Sequence, residues 1–303
     1  MTNVIDVQHI RKAYGAVTAV DDISFTVQPG EIFGIVGPNG AGKTTMVESV
    51  IGLRRPDSGE IRVLGLNPQT QGRELKQRIG IQLQQAALPN RIKVWEALAL
   101  FATFYGRSVP WEPLLETWGL AEKRNAQFGK LSGGQQQRLF IALALLNDPE
   151  MVFLDELTTG LDPQARRATW DAVRAIRQQG KTVILVTHFM EEAEELADHL
   201  LIIDGGKVVA HDTPQALIQN LQAGSRVCFT SQNGFDATVL RPLPGVSQVE
   251  QQGRQITVYG RGPLLSHVVA ALNSHNETPL DLRVEQANLE DVFLVLTGRK
   301  IRD

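Results

Sequence analysis

The stretch GPNGAGKTT, residues 37–45, decides the fold class because it matches the phosphate-binding pattern G-x-x-x-x-G-K-[ST]. The strand-like EIFGIVG runs into it and the helix-like TTMVESVIGL follows, which is the context that the pattern requires. Lys43 can reach the β and γ phosphates, and the Thr44 hydroxyl can bind Mg²⁺. We expect the whole loop to wrap the phosphates of ATP. Its residues are Gly37, Pro38, Asn39, Gly40, Ala41, Gly42, Lys43, Thr44 and Thr45.

The composition is that of an ordinary globular protein and restricts the function. The chain has 303 residues, 43% hydrophobic and 21% charged, which is long enough for one large domain and a small one. A net charge of −3 offers no broad basic field, so nucleic acid is not an expected partner. The single Cys228 cannot form an internal disulfide or a cysteine metal cluster.

Apolar runs in the sequence are short. FIALALL and VILV fall well below the roughly 18 residues that a membrane span needs, and the N-terminus lacks the apolar core of a secretory signal. We therefore expect a soluble chain, in which any membrane role comes from a partner.

The hydrophobic patterns predict an α/β fold with several parts. Residues 1 to about 30 predict antiparallel strands, and about 75–131 are mainly helical, which predicts an inserted helical subdomain over about 86–145. The apolar strands MVFL and TVILV alternate with helices and predict a mostly parallel core sheet, and LLIIDGGKVVA predicts a hairpin. One such helix, EEAEELADHL, is expected to extend to Leu200. The nucleotide-binding domain is thus expected over 1–220.

After about Asn220, short strand-like pieces surround one helical stretch, PLLSHVVAALNSH. This pattern predicts a small α+β domain over 221–303. The segment contains no phosphate loop or acidic cluster, so we expect an accessory or regulatory role.

An acidic pair ends the apolar run MVFLDE. In parallel sheets, ligands bind at the edge where such strands end, so Asp155 can hold Mg²⁺ through water and Glu156 can orient or deprotonate the attacking water. An acidic pair after an apolar run is usually only the start of a loop. Because the same chain also contains a phosphate loop, a catalytic role is here the better interpretation of this acidic pair.

Three more residues are candidates for the same site. His188 ends the apolar strand VILVTH and could bond the γ-phosphate or fix the water, although most histidines have no such role. Tyr14 could stack on adenine or simply cap a small sheet. Gln84, where the helical block opens, could ligate Mg²⁺ or a water, but Gln82 and Gln85 are equally placed by spacing alone.

A second glycine-rich stretch, KLSGGQQQRL at residues 130–139, precedes an amphipathic helix that is expected to start just after Gly134. Its amides, with Ser132 as an extra donor, can attract an anion, but no lysine or metal-binding hydroxyl follows. We infer that it contacts ATP bound by the phosphate loop of another copy. A capped helix with a glycine turn would explain Ser132 but hardly two adjacent glycines.

These motifs, in this order, resemble the ATP-binding subunit of an ABC transporter over about residues 4–220. The resemblance implies a P-loop ABC ATPase fold, with Tyr14 as the adenine platform, Gln84 as the loop glutamine that links the site to a membrane partner, Glu156 as the catalytic carboxylate and His188 as the switch histidine. It also implies that Ser132, Gly133, Gly134 and Gln135 form a signature facing the other subunit's ATP, and that Asp162 lies in the loop crossing the dimer interface.

Two further features bear on the subfamily. Leu157 stands where this family usually has proline, which loosens the backbone without removing a reacting group. The C-terminal NLEDVFLVLTGRKIRD resembles the tail of the drug-resistance type of ABC-2 export ATPases. Export is therefore the expected direction of transport.

The leading hypothesis is an ATPase whose two copies, as a homodimer or a paralogous heterodimer, close on ATP and drive a separate transmembrane permease at the cytoplasmic face of the cell membrane. The runner-up is an ABC-type mechanical ATPase that acts on a membrane partner without moving a substrate. An ABC-type factor for ribosomes or DNA is disfavoured by the single cassette, the absence of heptads and the single cysteine. A P-loop metabolite kinase would leave LSGGQQQR and His188 unexplained.

Overall fold

The structure, a computed structural model, describes residues 3–83, 87–106, 110–220, 226–232 and 234–298. The chain divides into two compact units, the first reaching Pro214 and the second beginning at Gln215. The roles predicted for the two domains stay predictions.

The first unit contains a large sheet, a small sheet and the helices around them. Its strands are β1 (Ile5–Tyr14), β2 (Val17–Val27), β3 (Ile32–Val36), β4 (Ser58–Val63), β5 (Ile79–Gln82), β6 (Met151–Asp155), β7 (Thr182–Thr187), β8 (His199–Asp204) and β9 (Lys207–Asp212). Its helices are α1 (Lys43–Val50), α2 (Gly72–Arg78), α3 (Val94–Ala102), α4 (Glu112–Thr117), α5 (Gly133–Ala144), α6 (Pro163–Gln178) and α7 (Met190–Leu196), and α8 (Pro214–Asn220) begins at its last residue.

The large sheet has the strand order β5-β6-β7-β3-β8-β9 and is parallel except for β9. Every residue of β3, β6 and β7 is buried, as expected when both faces of a parallel sheet are covered. Phe153 packs in one hydrophobic core, and its neighbours Val152 and Leu154 pack in the other. Side chains of β6 therefore alternate between the two faces of the sheet and contribute to both cores. This arrangement confirms the predicted parallel α/β sheet.

The small sheet, in the order β2-β1-β4, is antiparallel throughout. The rings of Phe25 in β2 and Phe33 in β3 stack with their centroids 5.5 Å apart. This contact joins the small sheet to the strand that leads into the phosphate loop.

Strand β5 corrects the expectation that the block from about residue 75 is mainly helical. It pairs in parallel with β6, Ile79 opposite Met151 and Gln82 opposite Leu154. Four residues are too few to show a period, and the partner strand lies far along the chain. Gly80 permits the close approach of α5, since a Cβ there would lie 2.0 Å from the Ala144 carbonyl oxygen. Gln84, just beyond β5, lies outside the described residues.

Helix α7 is shorter than its sequence pattern indicates. It ends at Leu196, whereas the pattern extends to Leu200, because His199 already begins β8. The Asp198 carboxylate accepts a hydrogen bond from Ile32 N at 2.8 Å. This bond draws the segment alongside β3, so tertiary pairing overrides the local helical pattern.

The second unit is a small α+β domain, as the sequence predicts. Its strands are β10 (Arg226–Thr230), β11 (Val246–Gln252), β12 (Gln255–Gly260) and β13 (Leu280–Glu285), and its helices are α9 (Leu264–Ser274) and α10 (Leu289–Thr297). The strands form an antiparallel sheet in the order β11-β12-β10-β13. The sequence pattern predicts only one helical stretch in this unit, whereas the structure also contains α10. A capping box begins α10, in which Asn288 Oδ1 accepts a hydrogen bond from Asp291 N at 3.0 Å. None of the helices in the described ranges of the chain is long and apolar enough to cross a membrane.

Candidate functional site

The phosphate loop connects β3 to α1 and depends on glycine at two close approaches. A Cβ at Gly37 would lie 2.1 Å from the Ile203 carbonyl oxygen, and one at Gly42 would lie 2.0 Å from that of Ala19. Gly42 also has a φ of +101°, a backbone conformation that favours glycine. Among the described residues no side chain caps α1, so its first amides are available to an anion.

Lys43 is the first residue of α1, and its side chain lies inside the loop. Its Nζ donates hydrogen bonds to the carbonyl oxygens of Gly37 at 2.7 Å and Pro38 at 3.1 Å. Burial lowers the pKa of Lys43, and the charges of Glu156 and Asp155 oppose that shift. The ammonium is thus held, 5% exposed, at the edge of the sheet that carries both predicted acidic residues.

Asp155 and Glu156 lie at the end of β6 in different backbone conformations. Asp155 is the buried last residue of the strand. Glu156 has a φ of +51°, which for a residue with a side chain costs about 1 kcal/mol or more, and its N donates to Val186 O at 2.8 Å. Backbone strain of this kind concentrates at functional sites.

His188 follows β7 and contacts the same carboxylate. Its Nδ1 lies 3.1 Å from Glu156 Oε1, and both side chains are nearly buried. The fold therefore brings together four residues from three segments that are far apart in sequence: Lys43, the pair Asp155 and Glu156, and His188. Thr44, next to Lys43, is exposed, and Thr45 is half-buried.

Tyr14, the last residue of β1, keeps 42% of its surface exposed, as a stacking platform requires. Two cations flank its ring: Arg54 Cζ lies 5.3 Å and Lys12 Nζ 5.7 Å from the centroid. Both cations are in ion pairs: Arg54 Nε lies 2.6 Å from Glu48 Oε2, and Lys12 Nζ lies 2.7 Å from Asp57 Oδ1. Neither cation was predicted. Arg54 leaves no signal because it lies far from Tyr14 along the chain, whereas Lys12, two residues before Tyr14 on β1, could have been placed on the same face by strand alternation.

The second glycine-rich loop caps α5. Gln135 N donates to Ser132 Oγ at 3.3 Å and Ser132 N donates to Gln135 Oε1 at 3.0 Å, so the helix begins at Gly133 rather than after Gly134. The Ser132 hydroxyl, expected as a donor, is an acceptor here. A Cβ at Gly134 would lie 3.1 Å from Ala165 Cβ, which gives this glycine a packing role as well.

Asp162 and Leu157 lie in the segment between β6 and α6. Asp162 caps α6, its Oδ1 accepting from Ala165 N at 2.8 Å, and Pro163 occupies the first helical position. Leu157, where proline was expected from the resemblance, is buried in the core shared with β6 and β7. At this position the chain therefore has a packed leucine side chain in place of the rigid proline ring.

Comparison with known proteins identifies the family. The sequence profile of the family described as ABC transporter matches residues 20–159. The chain is 40% identical over 315 residues to the Nod factor export ATP-binding protein I of Ralstonia nicotianae, with 100% of this chain and 96% of the relative covered. The protein of the same name from Burkholderia pseudomallei is 41% identical over 308 residues, with 99% and 98% covered. The chain belongs to the ABC transporter family.

Solved structures agree with this assignment. An ATP-binding subunit of an ABC transporter aligns with a TM-score of 0.65 at 27% identity, covering 72% of this chain and 93% of that one. The cbiO1 protein from Clostridium perfringens, part of the ABC transporter complex cbiONQ, has the same fold, with a TM-score of 0.65 at 24% identity over 73% of this chain and 95% of that one.

The predicted family, fold and enzyme class are therefore confirmed. This ABC subunit binds nucleotide, is an ATPase, and belongs to a class of subunits that work with the membrane components of transporters.

Proposed function

We propose that this ABC ATPase drives export through a separate transmembrane permease, from the cytoplasmic face of the cell membrane. The observation that carries the catalytic part is the buried cluster at the carboxyl edge of β6 and β7, where Glu156 contacts His188 and acts electrostatically on Lys43. The names of the relatives, which are export ATP-binding proteins, support the direction of transport.

Within this cluster each residue has a distinct part. Lys43 exchanges its bonds to the Gly37 and Pro38 carbonyls for bonds to the β and γ phosphates of ATP. Glu156 orients or deprotonates the attacking water, and His188, held by Glu156, fixes the water or bonds the γ-phosphate. Tyr14 stacks on the adenine.

The oxygen donors beside Lys43 fit Mg²⁺. Thr44 offers an exposed hydroxyl and Asp155 a buried carboxylate at the end of β6, and hard oxygen ligands are the ones that Mg²⁺ prefers. The ion would neutralise charge on the phosphates when bound. Gln84, a further proposed ligand, lies outside the described residues.

Two copies of the chain, or this chain and a paralogue, are proposed to close on two ATP molecules. The signature Ser132–Gln135 of one copy then faces the nucleotide in the phosphate loop of the other, and Asp162 lies near the crossing between them. The glycine-rich start of α5 supports this arrangement, because a helix N-terminus attracts an anion and this one has no phosphate-reaching lysine of its own. The second unit is proposed to regulate or stabilise the assembly, and no nucleic acid takes part.

The test is reconstitution with the native partner. A tagged full chain with Glu156→Gln, purified in mild detergent, is expected to retain a membrane protein of about six spanning helices. The wild-type complex in proteoliposomes, with the ATPase facing outward, should draw cargo into the lumen when ATP is added outside. Loss of cargo from the lumen instead would contradict export. Glu156→Gln should bind ATP normally and hydrolyse it roughly a hundredfold more slowly.

A further inference from the structure

Glu192 is a wholly buried acid that the proposed mechanism leaves without a role. It lies on α7, four residues after His188, and is 0% exposed. Trp170 Nε1 on α6 donates a hydrogen bond to its Oε1 at 3.2 Å. Burial raises the pKa of Glu192, and the nearby polar groups of Thr187, Thr158 and Trp170 oppose the shift. The Trp170 bond accounts for only one of the two carboxyl oxygens.

Thr158 is an equally unusual neighbour of the Glu192 carboxyl. Thr158, two residues after Glu156, is also 0% exposed, and its hydroxyl is near enough to lower the pKa of Glu192. Yet neither Thr158 Oγ1 nor Glu192 Oε2 has a hydrogen-bond partner within 3.5 Å in the part of the chain that the structure describes. Buried polar atoms are nearly always hydrogen-bonded, so a neighbouring donor and acceptor that are both left over call for an explanation.

Further groups around Glu192 come from β7, from α6 and from the residue that precedes α7. Thr187, at the end of β7, accepts a hydrogen bond from Phe189 N at 3.0 Å. On α6, Arg166 contributes the positive charge that acts on Glu192, and its guanidinium lies 5.2 Å from the ring centre of Phe189. Phe189 in turn lies against His188, their ring centroids 4.0 Å apart.

We propose that Glu192 is a positioning residue for ATP hydrolysis, which with Thr158 forms an internal brace that fixes the Glu156 segment against the His188 segment. The brace closes when Glu192 Oε2 and Thr158 Oγ1 form a hydrogen bond, and the hydrolytic arrangement is the closed one. Either proton arrangement makes the same link: an ionised carboxylate accepts from the threonine hydroxyl, and a neutral acid donates to it.

The closed brace acts on two residues at once. Thr158 is two residues from Glu156, and Glu192 sits one helical turn from His188, whose Nδ1 lies 3.1 Å from Glu156 Oε1. A small displacement of either segment changes the position of the group that polarises the water, and such misplacement is costly to turnover. The inference rests on the roles proposed above for Glu156 and His188.

The test measures ATP hydrolysis by the full chain carrying substitutions at both ends of the brace. Glu192→Ala is expected to lower kcat about tenfold with KM for ATP changed less than twofold, because nucleotide contacts are untouched. Glu192→Gln, which keeps an acceptor for Trp170 and offers an N–H to Thr158, should stay within threefold of wild type. Thr158→Val, which removes only the hydroxyl, should lower kcat about fivefold. Glu195→Gln, on the exposed side of the same helix and paired with Arg174 rather than with Arg166, is the matched control and should change nothing.

Coupling between the two ends distinguishes a brace from a merely structural role. Adding Thr158→Val to Glu192→Ala should lower kcat no further, whereas independent effects would multiply. Multiplying effects, or a kcat within twofold of wild type in folded Thr158→Val, would overturn the proposal. Should Glu192→Ala fail to fold, Thr158→Val compared with Thr158→Ser gives the decision, because Thr158→Ser keeps the hydroxyl and should stay within twofold of wild type. Normal hydrolysis by Glu156→Gln would instead refute the proposed catalytic role, independently of the brace.

Discussion

Substitutions at three glycines of the phosphate loop measure two contributions to the free energy of unfolding separately. One is the strain of a side chain at positive φ, and the other is the clash of an added Cβ with a neighbouring carbonyl oxygen. Gly40 has a φ of +80° with no described atom within 4 Å of an added Cβ, so Gly40→Ala bears only backbone strain. Gly37 has an ordinary φ, but its Cβ would lie 2.1 Å from Ile203 O, so Gly37→Ala bears only a clash. Gly42→Ala bears both, with a φ of +101° and a contact of 2.0 Å with Ala19 O.

The expected magnitudes follow from these geometries. A left-handed backbone costs a residue with a side chain about 1–2 kcal/mol. A Cβ forced against a backbone oxygen must displace the chain, and overpacking of that kind costs about 1–3 kcal/mol. Gly42→Ala should therefore destabilise the first unit by about 2–5 kcal/mol, more than Gly37→Ala or Gly40→Ala.

Thermal unfolding of the full chain, monitored at the transition that ATP shifts, measures this order. A change of 1 kcal/mol moves the midpoint of a unit of this size by about 2–4 °C. Gly42→Ala should show the largest drop and should also bind ATP most weakly, since its loop must move from β2. Equal midpoints for Gly42→Ala and Gly40→Ala would refute the claim that close approach, rather than backbone conformation alone, requires glycine there.

Other perturbations test the rest of the molecule. Burial raises the pKa of Glu192, so the native state holds that proton more tightly than the unfolded state; the free energy of unfolding of wild type should fall relative to Glu192→Gln as pH rises above about 4.5, and parallel urea-denaturation profiles would contradict this. Tyr14→Phe should keep ATP affinity within about twofold while Tyr14→Ala loses about tenfold, measured by calorimetry; equal losses would deny stacking. Asp162→Ala should cost about 1 kcal/mol of stability by removing the cap of α6, whereas Asp162→Asn should not, and thermal unfolding compares them.

The parallel core of the fold could be predicted because its signal is local. β6 and β7 are wholly buried strands built on the apolar runs MVFL and VILV, and the phosphate loop is a contiguous pattern with its flanking strand and helix. β5 could not be predicted this way, since four residues show no period and its partner lies far away in sequence. Tertiary pairing also decides where α7 ends.

The same division holds for the candidate site. Lys43 and Glu156 could be predicted from contiguous motifs whose chemistry is known. Arg54 comes from a distant segment and leaves no pattern with Tyr14, whereas Lys12 lies two residues before Tyr14 on β1 and shares its face by strand alternation. The buried carboxyl of Glu192 lies in a run of glutamates, and only the fold distinguishes it from its exposed neighbours.

Complementation between two defective copies tests whether the signature of one copy acts on the ATP bound by the other. Lys43→Ala removes one phosphate loop and spares its own signature, and Ser132→Arg blocks the signature and spares its own loop. A mixed dimer then contains one complete site.

The measurement uses differently labelled copies, each also carrying Glu156→Gln to slow hydrolysis, at millimolar ATP and low salt. We expect little ATP-dependent dimer from either variant alone and clear heterodimer from the mixture, detected by size and by both labels. If the mixture forms no more dimer than the separate variants, although both are folded and Ser132→Arg still binds ATP, the signature does not act in trans.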